Sequence, residues 1–310
     1  MKLIITGALG HLGSFFLAEF LKTKKFSKII LVDNLITNRY CSLFNIQNPK
    51  NNKITFINKD VTNFNFNKIL KKNDIILHLA AITNAAESFK IKKKITFNNY
   101  NATKNIANYC IKKNTKLIYI SSTSVYGSAD KIMYENNKRN TLKPQSPYAV
   151  CKIKEENFLR KLYKKKKLKL IIFRFGTIFG ISKGMRFHTA VNKFCWQSSI
   201  GESITVWRSS FNQKRPYLDI IDAFRVIIFV IKKNIFDGEI YNVATCNTTV
   251  KKILDIISKF SKKKKIIFTS NKIMNQLSYE VNCEKIMKHG FKYKGNISKQ
   301  IKSTLNLLKI

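Results

Sequence analysis

The sequence predicts an α/β fold: a doubly wound parallel sheet followed by a smaller C-terminal α/β lobe. Three observations lead to this prediction. The 310 residues exceed the usual length of one domain and can bury a large core. Short apolar runs alternate with longer amphipathic stretches through the first half of the chain, as in repeated β-α-β units. A glycine-rich turn, Gly7 to Gly13, joins the first apolar run to the first helical stretch.

The short apolar runs of the first half are predicted to be strands of a parallel sheet. These runs are Lys2–Thr6, Lys28–Val32, Lys53–Ile57, Asp74–Leu79, Lys116–Ser121 and Lys169–Phe173. Helical patterns lie between most of them, which indicates a sheet covered on both faces. Because such sheets bind ligands at the carboxyl ends of their strands, we expect the functional site there.

The β-α rhythm stops after Phe175, which predicts the start of a second lobe. This part contains a predicted helix near Ala190–Gln197 and predicted strands at Ile204–Trp207 and Lys265–Phe268. A helix at Asp219–Ile231 is expected to return to the first domain. The predicted division is therefore residues 1–176 for the first domain and 177–310 mainly for the second lobe, with about 216–245 returning to the first.

The chain is strongly basic, with 58 Lys and Arg against 17 Asp and Glu and a formal charge of +41. Such a charge suggests nucleic acid or an anionic membrane as a partner. The lysines nevertheless occur in runs such as 164–167 and 262–265, without the interleaved aromatic residues that stack on single strands. The composition favours a solvated lysine-rich surface, and nucleic-acid binding remains the second interpretation. A positive field would also attract a diphosphate.

Cysteine usage and apolar runs predict a soluble cytoplasmic protein with no membrane partner. The six cysteines form no CxxC pair and have no histidine at metal-ligand spacing, so they are expected to be reduced thiols and no metal site is expected. A long apolar run, Val226–Ile231, is far below the roughly 20 residues that cross a bilayer.

The glycine turn is predicted to bind the pyrophosphate of a dinucleotide. Its spacing is Gly7-x-x-Gly10-x-x-Gly13, with His11 and Leu12 inside it. Glycine permits backbone torsions that other residues avoid and lets the chain approach a phosphate closely. The free amides at the start of the following helix then meet the phosphate charge.

Residues at the next strand ends are expected to complete this site. Asp33 follows the second strand about 20 residues after the last glycine, where a carboxylate accepts from ribose hydroxyls and repels a 2′-phosphate. NAD is therefore favoured over NADP, although the nearby Arg39 leaves NADP open. Further cofactor contacts are expected at Asp60, Val61, Leu79, Ala80 and Ala81.

A tyrosine and a lysine at helical spacing form the predicted catalytic pair. Tyr148 and Lys152 stand four residues apart and therefore share one helix face. A free tyrosine titrates near pH ~10. A lysine ammonium and a nicotinamide cation both favour the phenolate, which makes Tyr148 a plausible acid and base. Ser122, at the end of the fifth strand, is expected to hydrogen-bond the same substrate oxygen.

With these residues in place, the sequence resembles the extended short-chain dehydrogenase/reductase family, in its NAD-dependent epimerase/dehydratase group, over essentially its full length. The matching stretches are Gly7–Gly13, Val32–Leu35, His78–Ala81, Asn98–Thr103, Ser122, Tyr148 and Lys152. The resemblance implies a seven-stranded Rossmann sheet, a small lobe that grips a nucleotide-diphosphate sugar, and often a homodimer through a four-helix bundle. It adds Asn34 and Asn99 to the predicted NAD site.

The resemblance also implies substrate contacts in the second lobe. Thr177 is expected beside the substrate, at the position where UDP-galactose 4-epimerases carry asparagine. Asn192 and Arg215 are expected on the diphosphate, a role that suits the planar fork of an arginine. Trp207 is expected either on the nucleotide base or as a core aromatic of the lobe. The stretch Met274–Glu280 lacks the nucleotide-binding segment of UDP-galactose epimerases, which leaves the base and the sugar open.

The reaction type is narrowed by Thr123 and Ser124, which stand where dTDP-glucose dehydratases carry Asp and Glu and are expected to contact the substrate. Without a carboxylic acid there, elimination of water lacks its proton donor and base. The sequence therefore favours an NAD-dependent nucleotide-sugar epimerase that forms a transient 4-keto sugar, with cell-surface polysaccharide synthesis as a family-level expectation. A 4-keto-sugar reductase or dehydrogenase of the same fold and a catalytically idle RNA-binding member remain as alternatives.

Overall fold

The computed structural model describes residues 1–23, 25–44, 46, 54–85, 87–127, 132–136, 142–262, 265–270 and 278–309. In chain order the strands are β1 (Lys2–Thr6), β2 (Lys28–Asp33), β3 (Ile54–Asn58), β4 (Ile75–His78), β5 (Lys116–Ser122), β6 (Ile132–Met133), β7 (Lys169–Phe175), β8 (Thr177–Phe179), β9 (Ile204–Trp207), β10 (Lys214–Asp219), β11 (Asp237–Val243), β12 (Cys246–Thr249), β13 (Ile266–Thr269) and β14 (Glu280–Val281). The α-helices are α1 (His11–Leu21), α2 (Lys92–Lys113), α3 (Pro147–Lys166), α4 (Ala190–Ser199), α5 (Ile220–Lys233), α6 (Val250–Ser258), α7 (Glu284–Lys288) and α8 (Ile297–Leu307).

Seven strands form one parallel sheet in the order β11-β7-β5-β4-β1-β2-β3. The strand order reverses beside β1, which is the arrangement of a doubly wound sheet with its ligand crevice at the strand ends. The predicted fold class is therefore confirmed. All six predicted strands are present with small shifts at their ends, except that Lys53 lies outside the described residues.

Helices cover both faces of the sheet and bury two apolar cores. On one face, α1 and α5 pack together, and Phe224 of α5 lies 5.0 Å from Phe20 of α1 between ring centroids. On the other face, α2 and α3 pack against each other and against the sheet through residues such as Ile106 and Leu159. This two-sided burial explains why the strands read as nearly continuous apolar runs.

The second lobe begins directly where the main sheet ends. Strand β8 starts two residues after β7 and pairs with β10, which in turn pairs with β12. Helices α4, α6 and α8 bury an apolar core of their own against these strands. Because β8 continues from the carboxyl end of β7, the lobe lies across the end of the sheet at which a ligand is expected. The exact division at residues 176 and 177 remains a prediction.

Candidate active site

A cleft of about 340 Å³ lies between the carboxyl ends of the parallel strands and the second lobe. One wall is formed by the glycine turn after β1 and by the residues that follow β4. The opposite wall comes from β8, β9 and β10, and the floor from the end of β5 and the start of α3. Predicted site residues that line this cleft are Gly7, Gly10, His11, Leu12, Gly13, Leu79, Ala80, Ala81, Ser122, Ser124, Tyr148, Lys152, Thr177, Trp207 and Arg215.

The glycine turn has the geometry that a phosphate cradle requires. Gly7 has a φ of +65°, and a Cβ at this position would lie 2.6 Å from the backbone of Ala80. A Cβ on Gly13 would lie 2.4 Å from the carbonyl oxygen of Ala8. Helix α1 begins at His11 behind Gly10, which supplies no side-chain cap, so the first amides of this helix are available to an anion. These features fit the pyrophosphate of a dinucleotide.

Asp33 holds the glycine turn from the neighbouring strand end. One carboxylate oxygen accepts from the amide of Leu9 at 3.0 Å, and the other accepts from the amide of Leu35 at 2.9 Å. The side chain is nearly buried and does not line the cleft itself. Its role towards the ribose therefore remains a prediction, while its fixing of the turn is a direct observation.

Four further predicted cofactor residues surround the cleft without lining it. Asn34 donates to Asp60 at 3.0 Å, and Thr62 donates to the same carboxylate through its amide and its hydroxyl. Although burial acts in the opposite direction, these hydrogen bonds hold the pKa of Asp60 below its usual value. Val61 packs in the core, and Asn99 exchanges two hydrogen bonds with the backbone of Ile82. They brace the loops that follow β2, β3 and β4.

The three predicted catalytic residues meet at the floor of the cleft. Tyr148 is the second residue of α3, and Ser146 caps the N-terminus of this helix. The Ser122 hydroxyl lies close enough to Tyr148 to favour the phenolate. The ammonium of Lys152 lies 5.8 Å from the centre of the Tyr148 ring and donates to the hydroxyl of Tyr119 at 3.0 Å. The sequence spacing and the fold together thus place a hydroxyl, a phenol and an ammonium at one point.

The resting state of Tyr148 is the neutral phenol. Burial raises the pKa of this side chain above its ordinary value, whereas Lys152, Arg186 and the hydrogen bond to Ser122 act in the opposite direction. The pKa of Lys152 is also raised: burial disfavours its charge, but Glu155 and Tyr148 more than offset that penalty. An added positive charge in the cleft, such as a nicotinamide ring, would favour the phenolate further.

The predicted substrate residues divide into two groups. Ser124, Thr177, Trp207 and Arg215 line the cleft, and Trp207 also packs on an apolar cluster, which fits both roles expected for it.

Thr123 and Asn192 are fully buried and do not line the cleft. Thr123 donates to the carbonyl of Phe175 and accepts from Tyr279, and Asn192 accepts from the amide of Gly180 at 3.2 Å. Their substrate roles remain predictions that the geometry does not support directly. Met274 to Leu277 of the stretch considered above lie outside the described residues.

Cationic side chains that no sequence motif predicted also line the cleft. Arg186 donates to Thr83, and Lys193 donates to the carbonyl of Thr205 at 3.2 Å. Burial and the nearby Arg39 lower the pKa of Arg186 to about 10, and burial together with Arg186 lowers the pKa of His188 to about 4. Among the described residues that line the cleft, none is Asp or Glu. The cleft is therefore built for an anion.

The fold and this cleft define a dinucleotide-binding enzyme, in which the acid and base role of Tyr148 remains a prediction. The chain belongs to the NAD dependent epimerase/dehydratase family, whose model matches residues 3–244. This match confirms the predicted family, the enzyme class and NAD as the cofactor. In the part of the chain that the structure describes, every α-helix is too short or too polar to span a bilayer.

The curated relatives and solved structures give similarities of moderate identity. An uncharacterized UDP-glucose epimerase of Bacillus subtilis is 28% identical over 287 residues, which cover 90% of this chain and 88% of the relative. A dTDP-D-glucose 4,6-dehydratase of Dictyostelium discoideum is 32% identical over 259 residues, which cover 79% of this chain and 58% of the relative.

Two solved structures share the fold at lower identity. UDP-glucuronic acid 4-epimerase from Bacillus cereus, in complex with UDP-glucuronic acid and NAD, superposes with a TM-score of 0.89 at 23% identity and covers 99% of both chains. UDP-N-acetylglucosamine 4-epimerase from Methanobrevibacter ruminantium superposes with a TM-score of 0.85 at 23% identity, covering 98% of this chain and 97% of that one.

Proposed function

We propose that this protein is an NAD-dependent nucleotide-sugar 4-epimerase. The observation that carries this proposal is a cleft that joins a dinucleotide cradle to the Ser122, Tyr148 and Lys152 set and whose described lining contains no carboxylic acid. Elimination of water requires a proton donor for the leaving hydroxyl, and the hydroxyls of Thr123 and Ser124 are poor substitutes for a carboxylic acid. Inversion at C4 needs only the three residues and the cofactor.

The mechanism assigns one task to each of the three side chains. Tyr148, as phenolate, accepts the proton of the sugar 4-hydroxyl, and Ser122 hydrogen-bonds the same oxygen and keeps it in place. Bound NAD would accept the hydride from C4 and return it. After the 4-keto sugar has turned over, Tyr148 gives its proton back to the oxygen on the inverted carbon. Lys152 stabilises the phenolate between these two transfers.

The substrate is proposed to be a nucleoside diphosphate hexose. Arg215 and Lys193 lie on the lobe side of the cleft, where their charges suit a diphosphate. Arg186 supplies a further cation that affects Tyr148 electrostatically. A sugar with its own carboxylate is therefore a candidate beside neutral hexoses. Three of the four similar proteins named above are described as epimerases of UDP-glucose, UDP-glucuronic acid or UDP-N-acetylglucosamine, and the fourth as a dTDP-D-glucose dehydratase. UDP-sugars are therefore the first substrates to test, and dTDP-sugars the second.

The test is incubation of the purified protein with UDP-, GDP-, dTDP- and CDP-sugars, including UDP-glucuronic acid, with products followed by NMR. A new epimer without a net absorbance change at 340 nm, absent in the Tyr148→Phe variant, is the expected result. Stoichiometric change at 340 nm with turnover would instead establish a reductase or dehydrogenase. A 4-keto-6-deoxy product would establish a dehydratase and refute the argument from the missing acid.

We also propose a homodimer in a reducing compartment, as expected for an enzyme that supplies sugar nucleotides for polysaccharide synthesis in the cytoplasm. Helices α2 and α3 lie side by side and leave Phe97 and Val150 exposed, at 69% and 52% of their surfaces. All six cysteines are free. Light scattering should give twice the chain mass, and Phe97→Asp should lower it to one chain; a monomeric wild type would refute the dimer.

A further inference from the structure

Two adjacent glutamates of α3 are buried beneath the cleft and face different partners. Glu156 binds Arg174 through two hydrogen bonds of 2.9 and 2.6 Å and accepts from Ser121. Glu155 is exposed by only 1%, and one of its oxygens lies 3.4 Å from the ammonium of Lys152. The mechanism above uses Lys152 but gives no task to the carboxylate that pairs with it.

Glu155 is held at this position by groups from three elements. Thr103 of α2 donates to one carboxylate oxygen, and the thiol of Cys151 of α3 lies 3.9 Å from the other oxygen. The hydroxyl of Tyr119 of β5, which accepts from Lys152, lies near this carboxylate, and burial followed by the Glu155 charge raises its pKa. With the ammonium of Lys152, these groups surround the carboxylate. A buried charge with this many donors is fixed in orientation, because each donor would lose its partner if the carboxylate turned away.

The hydrogen bonds continue from Glu155 to the cofactor turn and have a defined direction. Thr103 gives its single hydroxyl proton to Glu155, so it must accept from Nε2 of His78, which lies 3.2 Å away. The neutral imidazole therefore has a bare Nδ1, which accepts from Thr6 at 2.7 Å. Thr6 is the residue before Gly7. An ion pair followed by a chain of buried hydrogen bonds thus links Lys152 to the start of the phosphate cradle.

Glu155 is the only full negative charge among the described groups that face Lys152 and Tyr148. Burial, followed by Lys152, lowers the pKa of His78 to about 3, and burial raises the pKa of Cys151 to about 12. Burial likewise raises the pKa of Tyr119. These three groups are neutral at working pH. The charged groups that remain are Lys152 and Glu155 on α3 and Arg186 in the cleft.

We propose that Glu155 is a positioning residue for the proposed epimerase reaction: it holds the Lys152 ammonium against β5 and offsets part of its charge. This inference rests on the proposed function, because the acidity of the Tyr148 hydroxyl matters only if Tyr148 exchanges a proton with the sugar. A fully unpaired ammonium would favour the phenolate at all times. With Glu155 in place, Tyr148 remains acidic enough to lose its proton in the oxidation step and basic enough to hold it for the return step.

The test is a direct titration of Tyr148 in the NAD-loaded protein. Tyrosine labelled with ¹³C at Cζ reports ionisation by NMR, and the Tyr148→Phe variant identifies the signal. Glu155→Gln should lower the midpoint of Tyr148 by about one pH unit, from the loss of one charge at a typical protein dielectric. Glu155→Asp keeps the negative charge, so its Tyr148 midpoint should lie close to that of wild type. No turnover is needed, so this result is independent of whether epimerisation occurs.

Glu156→Gln is the matched control, because it removes an adjacent buried carboxylate that does not face Lys152. Its midpoint for Tyr148 should stay within about 0.3 pH units of wild type. An unchanged midpoint in Glu155→Gln, or equal shifts in both variants, would overturn the proposal.

A second measurement applies if Glu155→Gln does not fold. The Lys152→Met variant leaves the Glu155 carboxylate buried without its counter-ion. The Lys152→Met/Glu155→Gln double variant removes both charges, so no unpaired charge remains. If Glu155 is the counter-ion of Lys152, the double variant should melt at a higher temperature than Lys152→Met. A double variant that melts at the same or a lower temperature would refute the pairing.

Discussion

Acidification should destabilise this protein through its buried histidines, and His78 provides the sharpest test. The ring is 4% exposed, makes hydrogen bonds through both nitrogens, and has a pKa lowered to about 3 by burial and by Lys152. In the unfolded chain the same ring titrates near pH ~6.5. The unfolded state therefore binds a proton that the folded state does not. The contribution of His78 is fully present above pH ~6.5 and is lost as the pH falls towards 3.

The size of this loss follows from the two pKa values. At pH 5.5 the unfolded state gains RT ln 11, about 1.4 kcal/mol, from protonation of one such histidine, and almost nothing at pH 7.5. His11 has a similarly lowered pKa, about 3, through burial and Arg186, and adds a similar amount. Asp219 acts in the opposite direction, because burial raises its pKa to about 6, and offsets about 0.8 kcal/mol. The net loss from these three buried groups between pH 7.5 and 5.5 should be about 2 kcal/mol.

Urea unfolding of wild type and His78→Gln at pH 7.5 and 5.5 measures the contribution of this one ring. The variant should be less stable at pH 7.5, since two buried hydrogen bonds are disturbed, but its loss on acidification should be smaller by about 1.4 kcal/mol. Tyr126→Phe is the matched control. Burial raises the pKa of Tyr126 to about 12, so its removal should leave the pH dependence unchanged. Equal pH dependence in wild type and His78→Gln would refute the reasoning.

Four further outcomes follow from the site. Tyr148→Phe should lower kcat by about 10²-fold or more while the Kd for NAD changes less than threefold, as kinetics and calorimetry would show; an active variant would remove Tyr148 from the mechanism. Gly13→Ala should weaken NAD binding by about tenfold, because its Cβ meets the Ala8 carbonyl. Asp33→Asn should lower the ratio of the Kd for NADP to the Kd for NAD by about tenfold, as measured by calorimetry. An unchanged ratio of these two constants would contradict the predicted role of Asp33 at the ribose. Arg174→Met should cost about 3 kcal/mol in urea unfolding by leaving Glu156 unpaired, and Arg174→Met/Glu156→Leu should recover most of it.

The parts of this structure that sequence reasoning reached are those governed by local rules. The sequence predicts the strand at Ile204–Trp207 with both of its ends. The helix predicted to begin at Asp219 begins one residue later, because the Asp219 side chain caps it. Ser122, Tyr148 and Lys152 could be placed together because parallel strands end at one edge of the sheet and because four residues make about one helical turn. Spacing along the chain was sufficient for each of these steps.

Other parts depend on contacts that spacing does not encode. Strand β11 escaped prediction because Asp237, Gly238 and Glu239 interrupt its apolar pattern, and the strand pairs with β7 through a register shift at that point. Arg186 belongs to no motif, and its place in the cleft depends on how the second lobe folds back. The excess of basic residues in the whole chain is the one signal related to Arg186, and the composition favours a solvated surface as its explanation.

The two adjacent glutamates of α3 form buried ion pairs that fix the position of this helix more than they stabilise the folded protein. Glu155 and Glu156 are the same residue type in the same helix, yet Glu155 pairs with Lys152 and Glu156 pairs with Arg174 on β7, the last strand before the lobe. Replacing a buried ion pair by apolar residues is often neutral or stabilising, so neither pair is required simply to hold the fold together. Both pairs lie directly beneath the strand ends that form the floor of the cleft. Because a buried carboxylate with several donors cannot turn without losing them, each pair fixes its helix against the sheet at the point where the substrate must be held.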